Sequence, residues 1–186
     1  MRFFKCIVAV SRKQRTQLKD WAADKRGATA LEFALVAAPL LFMLTAILEV
    51  GVVFVMSVAV EHGISQASRA IRTGQFQTGG LTESEFRTAV CAEFLGLLPC
   101  DGNLFIDVRT FASFGDSQNV SPIDPDTQDF DSSEFQFNPG NRDEVVVARA
   151  FYEWNLITPG LTSIFSNTSN NSYLISATTA FRNEPF

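Results

Sequence analysis

The chain has 186 residues, 46% of them hydrophobic, and a formal net charge of -5, enough for one modest domain beside an apolar segment. Its charge is divided: the first 27 residues hold eight Lys or Arg against Asp20 and Asp24, a net of +6, while from Ala28 onward seven Arg and no Lys face eighteen Asp or Glu, a net of -11. The acidic body argues against nucleic-acid binding, and a basic head before an apolar run fits the positive-inside rule, with the head cytoplasmic and the acidic part across a membrane.

Met1 to Val10 starts like a secretory signal, but its apolar run is short and interrupted by Lys5. In a conventional signal the small-residue cleavage site follows the apolar region, whereas here the small Gly27 precedes the long one. Residues 1–27 therefore read as a cytoplasmic basic leader. From Phe33 to Val60 the only charged side chain is Glu49, and such a run in a helix extends ~42 Å, more than the ~30 Å of hydrocarbon in a bilayer. A membrane-spanning helix is expected, with a kink or loosening at Pro39. Glu32 stands at the inner edge of this helix, where an unpaired carboxylate costs ~2 to 3 kcal/mol. Glu49 falls near the outer interface and reads as a boundary residue within reach of water.

Past the membrane, Val60, Ile64, Ala67 and Ile71 recur at helical spacing, so the helix is expected to continue as a spine over residues 28–74, ~69 Å long to Thr73. Residues 75–186 form the exported domain. Thr82 and Glu85 make a capping box for a second helix, whose stripe is Phe86, Val90, Phe94 and Leu97. Leu104 to Phe111 reads as a strand with Asp107 and Arg109 on one face. Phe114 to Asp143 reads as a long, acidic surface loop. Strands are expected from Glu144 to Trp154 and from Tyr173 to Phe181. The fold class is α+β, a long spine helix with a small antiparallel sheet packed on it. In an oxidising compartment Cys91 and Cys100 are expected to form a disulfide contributing ~2 to 3 kcal/mol, two buried free thiols being the alternative.

Sites of chemistry are sparse. The single histidine of the chain, His62, lies on the spine, and without it no Ser-His-Asp or Cys-His arrangement can be assembled. Neither a G-x-S-x-G elbow nor a phosphate-binding glycine loop is present. Asp124, Asp126, Asp129 and Asp131 are spaced acidic residues, but their run lacks the glycine and terminal glutamate of an EF-hand loop. No enzyme activity, cofactor or metal is expected.

The segment RGATALEF resembles the processing site of prepilins, in which a membrane peptidase cuts after a glycine at the cytoplasmic end of the apolar helix. The whole pattern, RGATALEFALVAAPLL followed by ILEVG and ASRAIRTGQ, is similar to TadE-like pseudopilins, minor subunits of the Tad (Flp) tight-adherence pilus. The resemblance implies cleavage between Gly27 and Ala28 by a prepilin peptidase, with Glu32 and Phe33 acting in helix pairing and assembly. It implies a single-pass protein of a bacterial inner membrane, N-terminus cytoplasmic and C-terminal domain periplasmic, reaching the cell exterior on assembly. Its implied partners are the lipid bilayer, other pilins and pseudopilins and the inner-membrane assembly platform, and its implied role is pilus assembly, adhesion and biofilm formation. The alternative is a single-pass scaffold of the same machinery that stays in the inner membrane. Cleavage would leave Ala28 an α-amino group, largely protonated near neutral pH, one helical turn from Glu32.

Overall fold

The computed structural model describes residues 27–186, apart from Leu95, Leu97, Leu98, Asp101, residues 117–120 and Pro159. The expected basic leader, Gly27 excepted, and Leu97 of the expected apolar stripe lie outside the described residues. The first element, α1 (Ala28–Arg72), is a helix that continues through Pro39. The chain divides into two compact units after Leu44, inside this helix.

Over residues 27–44 every described side chain is exposed except that of Ala37, which is half-buried. The exposed set includes Leu31, Phe33, Leu35, Leu40 and Phe42. A helix that satisfies its own backbone and presents apolar side chains all round matches the demands of lipid. By length and composition α1 can cross a membrane, compatible with a single-pass membrane protein.

The second unit, Thr45–Phe186, is α+β. After α1 come α2 (Gln75–Gly79), α3 (Glu83–Ala92), β1 (Leu104–Phe111), β2 (Val145–Asn155), α4 (Thr162–Phe165) and β3 (Ser172–Arg182), with a 3-10 turn at Phe114–Asp116. The strands form one antiparallel sheet in the order β1-β2-β3, with Asp107 opposite Arg149 and Trp154 opposite Tyr173. Val60, Ile64, Ala67 and Ile71 of α1 are buried, as the helical spacing predicts. They share one core with Phe76, Phe86, Val90 and Phe94 and with the sheet residues Leu104, Ile106, Val108, Val146, Ala148 and Ala150. A side chain at Gly63 would place its Cβ 2.9 Å from the Val90 carbonyl oxygen and 3.1 Å from the Phe94 ring, so α1 and α3 meet where α1 has none. Glu85 accepts from the Thr82 backbone N–H at 2.6 Å, fixing the start of α3.

The segment from Phe114 to Asp143 is a long loop on the surface, as expected, with one 3-10 turn and no fully buried residue among those described, and it also has a packing role. Part of it covers the sheet face opposite the core. Phe130 and Phe135 pack on Phe151, with ring centroids 6.3 and 5.2 Å away, and Phe130 also meets Phe105 at 4.8 Å. Farther along, Val108 donates to the Gln136 carbonyl at 2.7 Å and accepts from the Asn138 N–H at 2.8 Å, so this segment also occupies the outer edge of β1. Val145 to Tyr152 of β2 are consequently buried on both faces, which explains why this strand reads VVVARAFY without polar alternation.

Candidate functional site

Gly27 sits just before α1 with open space around it, and Ala28 is the first helical residue. Glu32 follows one turn later, and it and Phe33 are exposed. Among the described residues Glu32 has no hydrogen-bond or ion-pair partner, and the Gly27–Ala28 bond lies at the start of α1.

In the second unit the prominent polar feature of α1 is Glu49, and here the expectation of a water-reached boundary residue is corrected. Glu49 is buried, 7% exposed. Its carboxylate accepts from the backbone N–H groups of Ile157 and Thr158, the latter at 2.8 Å. Both donors belong to the segment between β2 and β3, more than a hundred residues downstream. A carboxylate accepting two backbone N–H groups is a charge-assisted anchor that fixes the irregular start of this segment, ahead of α4. Sequence reasoning missed it, although a signal exists: Val53, Met56 and Val60 lie four, seven and eleven residues beyond Glu49, on the same helix face, and Met56 and Val60 are buried. Glu49 continues the domain-facing stripe.

Cys91 and Cys100 form a disulfide that joins the end of α3 to the chain entering β1, with Cα atoms 6.1 Å apart. Both pack on the core. Under the covering segment, Asp107 and Arg149 are buried on the sheet. Asp107 accepts from Arg109 Nε at 2.8 Å and from the Gln136 N–H at 3.0 Å, while Arg149 Nη1 stands 3.9 Å from its other oxygen. Burial pushes the Arg149 guanidinium pKa down and Asp107 opposes that shift. The cluster joins β1, β2 and the covering segment through charge, and it is a structural lock.

Asp124, Asp129 and Asp131 of that segment hold hydrogen bonds, two of the three within their own turns. Asp124 accepts from the Asp126 and Thr127 N–H groups at 2.8 and 3.0 Å, Asp131 accepts from the Ser133 N–H at 2.8 Å, and Asp129 accepts from the Ser169 hydroxyl. Hydrogen bonds to the charged form hold Asp124 and Asp131 below the ordinary carboxylate range. Among the described residues no group of three or more His, Cys, Asp or Glu is arranged to hold a metal ion. His62 is exposed and lies 3.6 Å from Glu93.

Residues 27–69 match the family model described as TadE-like protein. The match begins at Gly27, includes Glu32 and Glu49, and ends within α1, before the sheet begins. No curated protein and no solved structure matches the chain.

Proposed function

We propose that the chain is a minor pilin, a pseudopilin of a Tad-type pilus, which is inserted in the inner membrane, cut after Gly27 by a prepilin peptidase and then used in pilus assembly. The observation that carries this reading is the coincidence of three boundaries. The TadE-like match starts at Gly27, the helix starts at Ala28, and the strongly basic sequence ends at Arg26. The charge division supports a cytoplasmic leader and a periplasmic domain. The protein acts by helix packing and not by catalysis.

Cutting after Gly27 creates an amine at Ala28, one turn from Glu32. In a low-dielectric surrounding the two attract, within one helix or between neighbouring helices, where the pairing sets an axial stagger. Uncut chains lack the amine and keep a +6 head on the cytoplasmic side, so assembly depends on processing. Its partners are the prepilin peptidase, other pilins and the inner-membrane assembly platform, and the filament serves adhesion and biofilm formation.

Mass spectrometry of the mature protein tests the cut: an N-terminus at Ala28 is expected, and a chain retaining residues 1–27 sinks the proposal. Gly27→Ala blocks cleavage, while Glu32→Ala permits cleavage and impairs entry into the filament. Shearing then separates roles. Processed protein in surface filaments is the expected result, and processed protein confined to the membrane identifies a retained scaffold instead.

A further inference from the structure

The segment joining β2 to β3 differs in chemistry from the rest of this acidic chain. No charged residue occurs between Glu153 and Arg182. Within it Ile157 and Ile164 are 78% and 73% exposed, and Phe165 is exposed beside them. Isolated exposed aliphatic residues are ordinary, but here they lie on one short segment that Glu49 ties to α1.

The level of that tie along the helix decides what covers the segment. A helical run of about 20 residues spans the hydrocarbon of a bilayer, and counted from Phe33 it ends at Val52, beyond Glu49. The outward surface of α1 stays apolar past Glu49, through Phe54, Val55 and Val58, all exposed, and the next charged residue is Glu61. From Glu49 to Val58 the helix rises ~14 Å. Any bilayer that covers this surface also reaches the segment tied at Glu49. The cleft between α1 and the segment is lined by Val50, Val53, Phe54, Leu156, Leu161 and Phe165, a wall suited to acyl chains. Trp154 and Tyr173 pair across β2 and β3 at the same end of the sheet, and Trp and Tyr favour the membrane–water interface.

We infer that the β2–β3 segment, with Ile157, Ile164 and Phe165, enters the outer leaflet at the boundary of headgroups and acyl chains, a second membrane contact beside the spanning helix. Glu49 sets its depth. By accepting both N–H groups it removes two backbone donors from a region poor in water, where leaving them unpaired is costly. The occupant is lipid, because the exposed surface of the segment is uncharged and shares its level with the lipid-covered surface of α1. This inference rests on the single-span reading of α1.

Full-length chain carrying Cys6→Ser, labelled at one new cysteine with an environment-sensitive fluorophore and reconstituted in phosphatidylethanolamine and phosphatidylglycerol vesicles, tests it. Three positions are compared: Ile164→Cys, Leu40→Cys in the spanning run and Thr127→Cys on the acidic segment. The Ile164 label should be blue-shifted, quenched by a nitroxide placed high on the acyl chain at a depth of ~5 to 10 Å, and several-fold less quenched by aqueous iodide than the Thr127 label. Ile157→Cys should behave alike, and both positions are exposed enough that folding tolerates the change. An Ile164 label as open to iodide as Thr127, with Leu40 in lipid, overturns the inference and leaves the span intact. A Leu40 label open to iodide overturns the span and the inference together. Protection at Ile164 that vanishes when the protein is diluted into excess lipid assigns the cover to a second copy and also overturns it.

Discussion

The carboxylate of Glu49 accepts the backbone N–H of Thr158 at 2.8 Å, joining a residue of the apolar helix to one 109 positions later. With the Ile157 N–H on the other oxygen, this contact places the β2–β3 segment against α1. Glu49→Ala leaves two donors without their acceptor, and Thr158 is buried. A loss of about 1 to 3 kcal/mol is expected, felt locally. Glu49→Gln keeps an acceptor for one N–H but presents its amide to the other, so it is expected to lose a substantial part of the same stability. Hydrogen exchange in the full chain checks this: the Ile157 and Thr158 amides should lose protection in both variants while the β1 and β2 amides keep theirs. Unchanged protection of these two amides would show that the contact does not hold the segment.

Asp107 and Arg149 form the second lock. Both side chains are almost fully buried, and Asp107 also holds Arg109 and the Gln136 N–H. Replacing Asp107 by Ala leaves the two guanidinium groups facing each other without the carboxylate between them. A loss of about 3 to 5 kcal/mol is expected, the cost of breaking a buried ion pair by removing one member. Urea unfolding of the detergent-solubilised chain, followed by the sheet signal, reads it. An effect within 0.5 kcal/mol, typical of an exposed substitution, would mean that water reaches Arg149.

These two features mark where sequence reading stops. The stripe Val60, Ile64, Ala67 and Ile71 and the Thr82–Glu85 box were legible because their partners lie within one or two turns of the same helix. The strands were legible from their β-branched and aromatic runs, to within a residue or so at each end. The placement of Glu49 was not, since its partners are backbone groups of a distant segment with no side-chain signature. The surface loop from Phe114 to Asp143 was legible from its Asp, Pro and Ser content, but its contact with the sheet through Phe130 and Phe135 was not. The counter-signal was in β2, where Val145, Val146 and Val147 occupy successive positions that a strand with one wet face would fill alternately. At the candidate processing site the residues are adjacent in sequence, so the short run RGATALEF was enough to carry the resemblance to prepilins that implies it.

The disulfide between Cys91 and Cys100 closes a short loop, with a sequence separation of 9. Loop-closure entropy for that length predicts about 2 to 3 kcal/mol. Cys91→Ser with Cys100→Ser should lower stability by that amount. Non-reducing peptide mapping of the native protein should find the two joined; free thiols at both positions would contradict the bond.

Asp124 and Asp131 give the covering segment a pH dependence. Their pKa values in the folded chain lie below the ordinary aspartate value of 3.8, because the Thr127 and Asp126 N–H groups and Ser133 favour the charged form. Lowered carboxylate values contribute stability that is fully present above pH 3.8 and is lost as the pH falls through the lowered folded values. Both groups are at the surface, so loosening is expected to be local to their turns. Carbon-detected titration should place both midpoints below 3.8, with the Asp126, Thr127 and Ser133 amide shifts following them. Midpoints at or above 3.8 would show that the turns do not depend on charge.

Gly74 joins α1 to α2 at φ 79°, where an L side chain is strained, and an added Cβ would stand 2.3 Å from the Phe186 ring. Gly74→Ala therefore combines two costs. The left-handed backbone contributes about 1 to 2 kcal/mol, and the ring must move away from a position next to Glu184, which binds Arg72 through both its backbone N–H and its carboxylate. Removing the ring separates them. In a Phe186→Ala background the Gly74→Ala loss should shrink toward the backbone cost alone, a coupling that a double-mutant cycle on thermal unfolding measures. Equal losses in both backgrounds would mean that the ring yields freely and that Gly74 is required for its backbone conformation only.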